Sequence, residues 1–250
     1  MKVVVLSGGR SSEHEISLLS GQAVTAGLRE AGHEVTELKI EKDGAWIADG
    51  EPVSIVPGEG LLGADVAFPV LHGPFGEDGA TQGALETAGI AYAGSDVLGS
   101  AVCMDKLTLK RLCGFHGINQ VGFVQAGVTG WHEAVLELGL PVWVKPSRLG
   151  SSVGISKVDA WDQLTDAVNL AAKHDPRVII EGHCGGREIE CSVLGNENPE
   201  ASLPGEIVAD ADWYDYEAKY TEGRMNLAVP AELDEETTAA VRAAATNAFT

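Results

Sequence analysis

A short apolar run that ends in a lysine and leads into a loop of small residues is well suited to bind phosphate. It extends from Val142 through Lys145 to Gly154 and has the sequence VWVKPSRLGSSVG. We expect a strand and then a flexible loop, since Gly150 and Gly154 can adopt backbone angles that are closed to other residues. Backbone N–H groups and serine hydroxyls can hold phosphate oxygens, with the Lys145 ammonium beside them. An ordinary surface loop with a solvated lysine would show the same features, so this motif alone does not decide.

The elements that would position such a loop follow an α/β pattern. The first strand covers residues 2–6, and after a glycine-rich loop a capping box of Ser12 and Glu15 predicts that a helix starts there. Four apolar residues at helical spacing predict its buried face: Ile16, Leu19, Ala23 and Ala26. A second strand follows at residues 34–38, which indicates an α/β layer fold with a parallel sheet. The loop has no G-x-G-x-x-G fingerprint and no Walker lysine, which disfavours a Rossmann dinucleotide site and a P-loop.

The next strong strand, residues 64–71, ends in the polar segment LHGPFGEDG. Ligands in open α/β sheets bind at the carboxyl ends of strands, where His72 and the pair Glu77 and Asp78 would lie. A hydrogen-bonded structural histidine is an equally good interpretation of His72. A helix is predicted over residues 97–112, and it carries Lys106, a residue type that is usually solvated on a helix surface.

Later segments continue the alternation of strands and helices. Strands are predicted at residues 122–124, 141–145 and 177–181, a further strand at 187–193, and helices at 131–138, 161–173 and 233–249. Residues 210–224 are polar and aromatic without clean periodicity, which favours a long functional loop. We place domain boundaries near residues 95 and 184, giving an N-terminal α/β domain (1–95), a central lobe (96–184) and the start of a C-terminal lobe (185–250).

Composition excludes several classes of partner. The formal net charge is −20, from 17 basic and 37 acidic residues, and such a surface repels nucleic acid and anionic membrane. The sequence contains no apolar run long enough to span a membrane. The four cysteines show neither paired C-x-x-C spacing nor histidines at zinc-ligand distances, so we expect buried, reduced thiols and a cytoplasmic location. An anionic ligand would need local positive charge, which makes the few lysines informative.

Five ordered sequence blocks resemble one family. They are GGRSSEHEIS (8–17), LHG with GEDG (71–73 and 76–79), MDK (104–106), VKPS with GSSVG (144–147 and 150–154), and YDYEAKY (214–220). Together they resemble D-alanine–D-alanine ligases of the ATP-grasp superfamily, and the resemblance extends over the whole chain. It implies an ATP-grasp fold with an N-terminal parallel α/β domain, and it leads us to expect a homodimer.

The resemblance also implies a reaction. ATP phosphorylates the carboxylate of one D-alanine, and the amine of a second displaces phosphate to form the dipeptide for peptidoglycan. This chemistry needs charge neutralisation on the phosphates, orientation of two zwitterions and exclusion of water from an acyl phosphate. It requires no protein nucleophile.

Residue roles follow from the same resemblance. Lys106 and Lys145 would contact the α- and β-phosphates of ATP, and Lys219 the transferred phosphoryl group. Glu181 and Glu188 would meet the adenine–ribose end, since carboxylates accept hydrogen bonds from ribose hydroxyls. The first D-alanine would place its ammonium on Glu13, near His72. Ser151 and Tyr220 would hydrogen-bond with Glu13 and close the loop over the substrates as a lid.

The metal ligands implied by the resemblance are an Arg-x-Asp strand and a Glu-x-Asn pair, which we expect beyond Thr250. They would bind two Mg²⁺ ions, or Mn²⁺, and so stabilise the phosphoryl transfer. We therefore expect the 250-residue chain not to turn over at a normal rate by itself.

Two alternatives stay open. A D-alanine–D-lactate ligase of the same superfamily is one, although Tyr220 argues against it because ester-forming relatives tend to replace this tyrosine. A non-catalytic nucleotide-binding fragment is the other, suggested by the missing metal ligands. Glu13, Ser151 and Tyr220 would have no purpose in such a fragment.

Overall fold

The structure, a computed structural model, describes residues 1–209 and 225–250. The chain divides into unit 1, Met1–Thr108 with Arg148–Gly150, and unit 2, Leu109–Ser147 with Ser151–Thr250. The finer division into three domains stays a prediction.

Fifteen strands and seven α-helices lie within the described residues. The strands are β1 (Lys2–Gly8), β2 (Glu34–Ile40), β3 (Trp46–Ala48), β4 (Glu51–Pro52), β5 (Val66–Pro69), β6 (Ala91–Tyr92), β7 (Phe123–Gln125), β8 (Val142–Pro146), β9 (Ser156–Val158), β10 (Val178–Gly182), β11 (Glu188–Glu190), β12 (Val193–Leu194), β13 (Glu200–Ala201), β14 (Gly205–Ala209) and β15 (Met225–Ala228). The helices are α1 (His14–Glu30), α2 (Ala80–Ala88), α3 (Val97–Met104), α4 (Lys106–Phe115), α5 (Trp131–Leu138), α6 (Leu164–Ala172) and α7 (Glu235–Phe249).

The sheet of unit 1 has the strand order β4-β3-β2-β1-β5-β6. Its centre is parallel, as predicted: β1 pairs in parallel with β2 and β5, and β5 with β6. The antiparallel strands β3 and β4 extend one edge and are not predicted by the sequence pattern. Residues 3–6 are all buried, as expected of a strand covered on both faces. The chain leaves β1 toward β2 on one side and returns as β5 on the other, so the loops after β1 and β5 flank a switch point of the kind where ligands bind.

The start of α1 differs from the prediction. The helix begins at His14, and Glu13 occupies the N-cap position without a side-chain capping bond, so the capping box of Ser12 and Glu15 is wrong. Ser11 is the residue that shapes this turn instead, because its Oγ accepts a hydrogen bond from the Glu13 N–H at 3.1 Å.

The buried face of α1 also differs from the predicted apolar stripe. Leu19 is 63% exposed, whereas Ser17, Gly21 and Thr25 are buried. These small residues allow α1 to lie close to the sheet: a Cβ added to Gly21 would be only 2.6 Å from the Cβ of Ser7 on β1. Close approach of the backbones therefore decides which face of α1 is buried.

The single helix predicted over residues 97–112 is two helices. Asp105 separates α3 from α4 with extended backbone angles (φ −88°, ψ 97°), and its Oδ1 accepts a hydrogen bond from the Thr108 N–H at 3.3 Å. Asp96 caps α3 in the same way, accepting from the Gly99 N–H at 2.7 Å. An aspartate at each start satisfies N–H groups that lack a helical partner. Lys106 therefore lies at the first residue of α4.

Unit 2 contains an antiparallel sheet in the order β7-β10-β8-β9. One face packs against α5 and α6 through a core that includes Val142, Val144 and Ile180. Alternation along the strands places Trp143, Lys145 and Glu181 on the opposite face. Two smaller sheets follow, β11-β14-β15 and β12-β13. Among the described helices, none combines the length and apolar character needed to cross a bilayer. The four cysteines are reduced thiols, but Cys103 and Cys184 are exposed, so the predicted burial of the cysteines is wrong.

Candidate functional site

The loop after β1 is fixed to the neighbouring strand ends by buried polar contacts. Ser17 is fully buried, and its Oγ accepts from the Gly8 N–H at 2.8 Å and donates to the Val70 carbonyl at 2.6 Å. The His14 Nδ1 lies 2.6 Å from the Gly9 carbonyl oxygen. Since both ends of the loop are held, the residues between Gly9 and His14 have a defined position at the switch point of the sheet.

The loops that carry Glu13 and His72 meet at this switch point. The Ser11 Oγ donates to the His72 carbonyl at 2.7 Å, which joins the two loops, and the His72 Nε2 lies 3.3 Å from the Ser20 Oγ on α1. Glu13 is buried, and its Oε2 is so close to the neighbouring loop that a Cβ on Gly73 would lie 2.8 Å from it. A buried carboxylate at the carboxyl end of a parallel sheet can receive a substrate ammonium.

The pair Glu77 and Asp78 shapes the loop after β5. The Glu77 Oε2 accepts from the Gly73 N–H at 2.5 Å, and the Asp78 Oδ2 accepts from the Phe75 N–H at 2.9 Å. Gly73 has a φ of +69°, a conformation that favours glycine. These acidic residues therefore support the position of Gly73 beside Glu13.

A second cluster of predicted site residues lies on the polar face of the unit 2 sheet. The Glu181 Oε2 is 2.7 Å from the Lys145 Nζ, and its Oε1 is 2.8 Å from the Nζ of Lys110, a residue of α4. The side chains of Glu181, Lys110 and Lys145 are 8%, 15% and 25% exposed. Burial acts to raise the pKa of Glu181, but the two ammonium groups outweigh it and hold that pKa below its ordinary value. Two partly desolvated cations, Lys145 from the sheet and Lys110 from α4, thus lie around one ionised carboxylate.

Lys110 is a member of this cluster that the sequence analysis missed. It lies four residues after Lys106 on α4 and therefore on the same helix face. The four-residue spacing from Lys106 could have indicated that Lys110 faces the same site, but nothing in the sequence identified Glu181 as the ion-pair partner of Lys110.

In the loop after β8, two serine residues have left-handed backbone angles, which are unusual for non-glycine residues. Ser151 and Ser152 have φ values of +50° and +61°, and Gly154 has a φ of +70°. Gly150 is not in the left-handed region, so the prediction that it uses backbone angles closed to other residues is wrong. Glycine is required at position 154, where a Cβ would lie 2.6 Å from the Cδ2 of His174. Left-handed angles at non-glycine residues cost about 1–3 kcal/mol each and cluster at functional sites. Ser151, a predicted substrate contact, is thus held in a strained conformation.

The remaining predicted residues are distributed as follows. The Lys106 Nζ donates to the Leu149 carbonyl, both within unit 1. Glu188 is exposed at the first residue of β11. Lys219, Tyr220 and the rest of the predicted lid lie outside the described residues. Within residues 1–209 and 225–250, no group of three or more His, Cys, Asp and Glu side chains is arranged to hold a metal ion.

Comparison with known proteins decides the family. The model described as D-ala D-ala ligase C-terminus matches residues 112–250, more than half of the chain, and the one described as D-ala D-ala ligase N-terminus matches residues 2–57 and 52–95. The chain belongs to the D-alanine–D-alanine ligase family. Relatives in this family include the D-alanine–D-alanine ligases of Deinococcus radiodurans, 43% identical over 99% of this chain and 80% of the relative, and of Solibacter usitatus, 44% identical over 100% and 76%.

Solved structures agree with membership of the D-alanine–D-alanine ligase family. The VanG D-Ala:D-Ser ligase from Enterococcus faecalis has a TM-score of 0.86 and 33% identity over 99% of this chain and 81% of that one. The D-alanine–D-alanine ligase from Coxiella burnetii has a TM-score of 0.86 and 31% identity over 100% and 76%. The predicted family, the ATP-grasp fold class and the ligase enzyme class are therefore confirmed.

Proposed function

We propose that this chain joins two D-alanine molecules into D-alanyl-D-alanine with ATP, through a D-alanyl phosphate, for peptidoglycan synthesis. Its curated relatives carry the name of this activity and align with nearly the whole chain. The observation that carries the proposal is the buried Glu13 carboxylate, fixed at the switch point of the unit 1 sheet beside Gly73. A nucleotide-binding module alone would have no use for this carboxylate.

In the proposed mechanism the residues bind, orient and exclude water. Glu13 receives the ammonium of the first D-alanine, with His72 beside it, which presents the substrate carboxylate for phosphorylation. Lys145 and Lys106 neutralise ATP phosphate charge, which favours attack on the γ-phosphoryl group. Further roles are proposed by position: Glu181 and Glu188 at the adenine–ribose end, Lys219 at the γ-phosphate, and Ser151 and Tyr220 in the water-excluding lid.

Divalent metal use is a general property of this ATP-dependent family. The described residues contain no cluster of His, Cys, Asp and Glu side chains suited to a metal ion, and none of them is assigned to Mg²⁺. Two bound Mg²⁺ ions, a homodimer and a cytoplasmic location stay predictions.

The test is product analysis at high protein concentration with ATP, Mg²⁺ and D-alanine. We expect D-alanyl-D-alanine and phosphate to form in equal amounts, with D-alanine strongly preferred over D-lactate as second substrate. Ester formation with D-lactate would favour the related ester-forming activity. Binding of ATP without any D-alanine-dependent phosphate release would favour the non-catalytic alternative.

A further inference from the structure

Lys110 has an ion pair that the proposed roles of ATP-site residues do not explain. Its Nζ is 2.8 Å from the Glu181 Oε1, and it also lies 5.5 Å from the centre of the Phe123 ring on β7. The side chain is only 15% exposed. A lysine this far removed from water is costly unless its partners are well placed, which suggests a specific role.

The two oxygens of Glu181 are divided between two lysines. Oε1 forms an ion pair with Lys110 from α4, and Oε2 forms an ion pair with Lys145 from β8. Neither lysine therefore depends on the oxygen that the other uses. If Lys145 leaves, Glu181 keeps one full ion pair.

The burial of Glu181 makes this division important. Its side chain is 8% exposed, so a carboxylate that lost every cation there would be left charged and desolvated. Leaving one member of a buried ion pair without its partner is strongly unfavourable. If Lys145 were the sole partner, its movement toward a phosphate would leave the buried Glu181 carboxylate unpaired and would therefore be unfavourable.

We propose that Lys110 is a positioning residue for nucleotide binding, which keeps Glu181 paired and so releases Lys145 to contact an ATP phosphate. This inference rests on the proposed function, in which Lys145 binds phosphate. Lys110 acts through Glu181 and does not itself contact the nucleotide.

A double-mutant cycle on ATP affinity tests this role. Lys110→Met removes the charge and keeps the side-chain length, so it leaves Glu181 with Lys145 alone. We expect ATP to bind about tenfold more weakly, because Lys145 is then retained by the carboxylate. In a Glu181→Gln background there is no charge to retain Lys145, so the same substitution should change ATP affinity less than about twofold. Calorimetric titration of the 250-residue chain with ATP gives these values without requiring turnover.

Three controls define the result. Lys110→Arg keeps a cation at this position and should restore most of the affinity, which a general loss of packing would not allow. Lys173→Met removes an exposed lysine after α6 and should leave ATP affinity unchanged. Urea unfolding is followed for each variant, and Lys110→Gln replaces Lys110→Met in the cycle if the latter does not fold.

The outcomes separate the inference from the proposed function. An equal loss of affinity in both backgrounds would mean that Lys110 contacts the nucleotide directly, and an unchanged affinity in Lys110→Met would mean that it has no role; either result overturns the inference alone. A chain that binds no ATP before any substitution would overturn both the inference and the proposed function.

Discussion

Replacing Gly73 by alanine tests the close packing around Glu13. Two effects act at this position. Gly73 has a φ of +69°, and a new Cβ would lie 2.8 Å from the Glu13 Oε2 and 3.3 Å from the Ser11 Cβ. Ordinary van der Waals contacts begin at 3.4 Å, so the Glu13 carboxylate must move. Because Glu13 is only 7% exposed, it cannot simply rotate into water.

The expected magnitude is a sum of these two effects. Left-handed backbone angles cost an alanine about 1–2 kcal/mol. Displacing the carboxylate adds the cost of an unfavourable rotamer or a weakened buried hydrogen bond, about 1–2 kcal/mol more. We therefore expect Gly73→Ala to lower the free energy of unfolding by about 2–4 kcal/mol. It should also weaken D-alanine binding at least about tenfold, since a shift of one ångström in a positioning residue is costly.

Gly63→Ala is the matched control in the same unit. Gly63 has a φ of +65°, and a Cβ there would meet no atom within 4 Å, so only the backbone cost of about 1–2 kcal/mol applies. Urea unfolding measures both stability losses, and titration calorimetry measures D-alanine binding. Equal stability losses in the two variants would refute the proposed contact with Glu13. Unchanged D-alanine affinity in Gly73→Ala would refute the assignment of Glu13 to the substrate ammonium.

Three further predictions concern packing and charge. Gly21→Ala should lower the free energy of unfolding by about 1–3 kcal/mol although alanine favours helices, because its Cβ would lie 2.6 Å from a strand side chain. Gly27→Ala on the same helix has open space around it and should raise stability by up to about 1 kcal/mol. A gain at both sites in urea unfolding would contradict the packing of α1. Ser17→Ala removes a buried acceptor and donor and should cost about 2–3 kcal/mol by the same assay, whereas Ser12→Ala on the exposed part of the loop should cost little. Because the pKa of Glu181 is lowered in the folded chain, its ionised form stabilises the fold above the unfolded pKa of about 4.3, and this stabilisation is lost as pH falls through the lower folded value. Glu181→Gln should therefore make the free energy of unfolding depend less steeply on pH in the acid range. An unchanged pH dependence would count against the ion pairs.

Strong periodic patterns predicted the elements that carry the site. The buried run of β1 and the strand predicted at residues 64–71, observed at 66–69, gave the parallel sheet and placed His72 at the carboxyl end of a strand. That His72 lies near Glu13 was expected only from the family resemblance. Helix α5 has the predicted bounds, 131–138. These elements bury apolar side chains at regular spacing, which is the property that a sequence pattern records.

The errors occurred where contacts between elements overrule local pattern. The buried face of α1 consists of small and polar residues because close approach to β1 requires them, and apolar spacing does not register that requirement. Asp105 interrupts the predicted helix because its carboxylate starts α4. The positive φ angles at Ser151 and Ser152 could not be predicted from residue type, since serine has no intrinsic preference for them.

The cluster of Lys110, Lys145 and Glu181 shows how an acidic protein can maintain a local cation site. The whole chain carries a formal charge of −20, yet these three side chains together carry +1 in a partly desolvated place. A free lysine side chain has about 2 kcal/mol of rotamer entropy, which a phosphate contact would have to overcome. Because the ion pair with Glu181 orders the Lys145 side chain before any ligand binds, part of this entropy is already lost in the folded chain. Under the proposed function, this order favours phosphate binding by Lys145 whereas the charge of Glu181 opposes it, and Lys110 reduces that opposition by sharing the carboxylate.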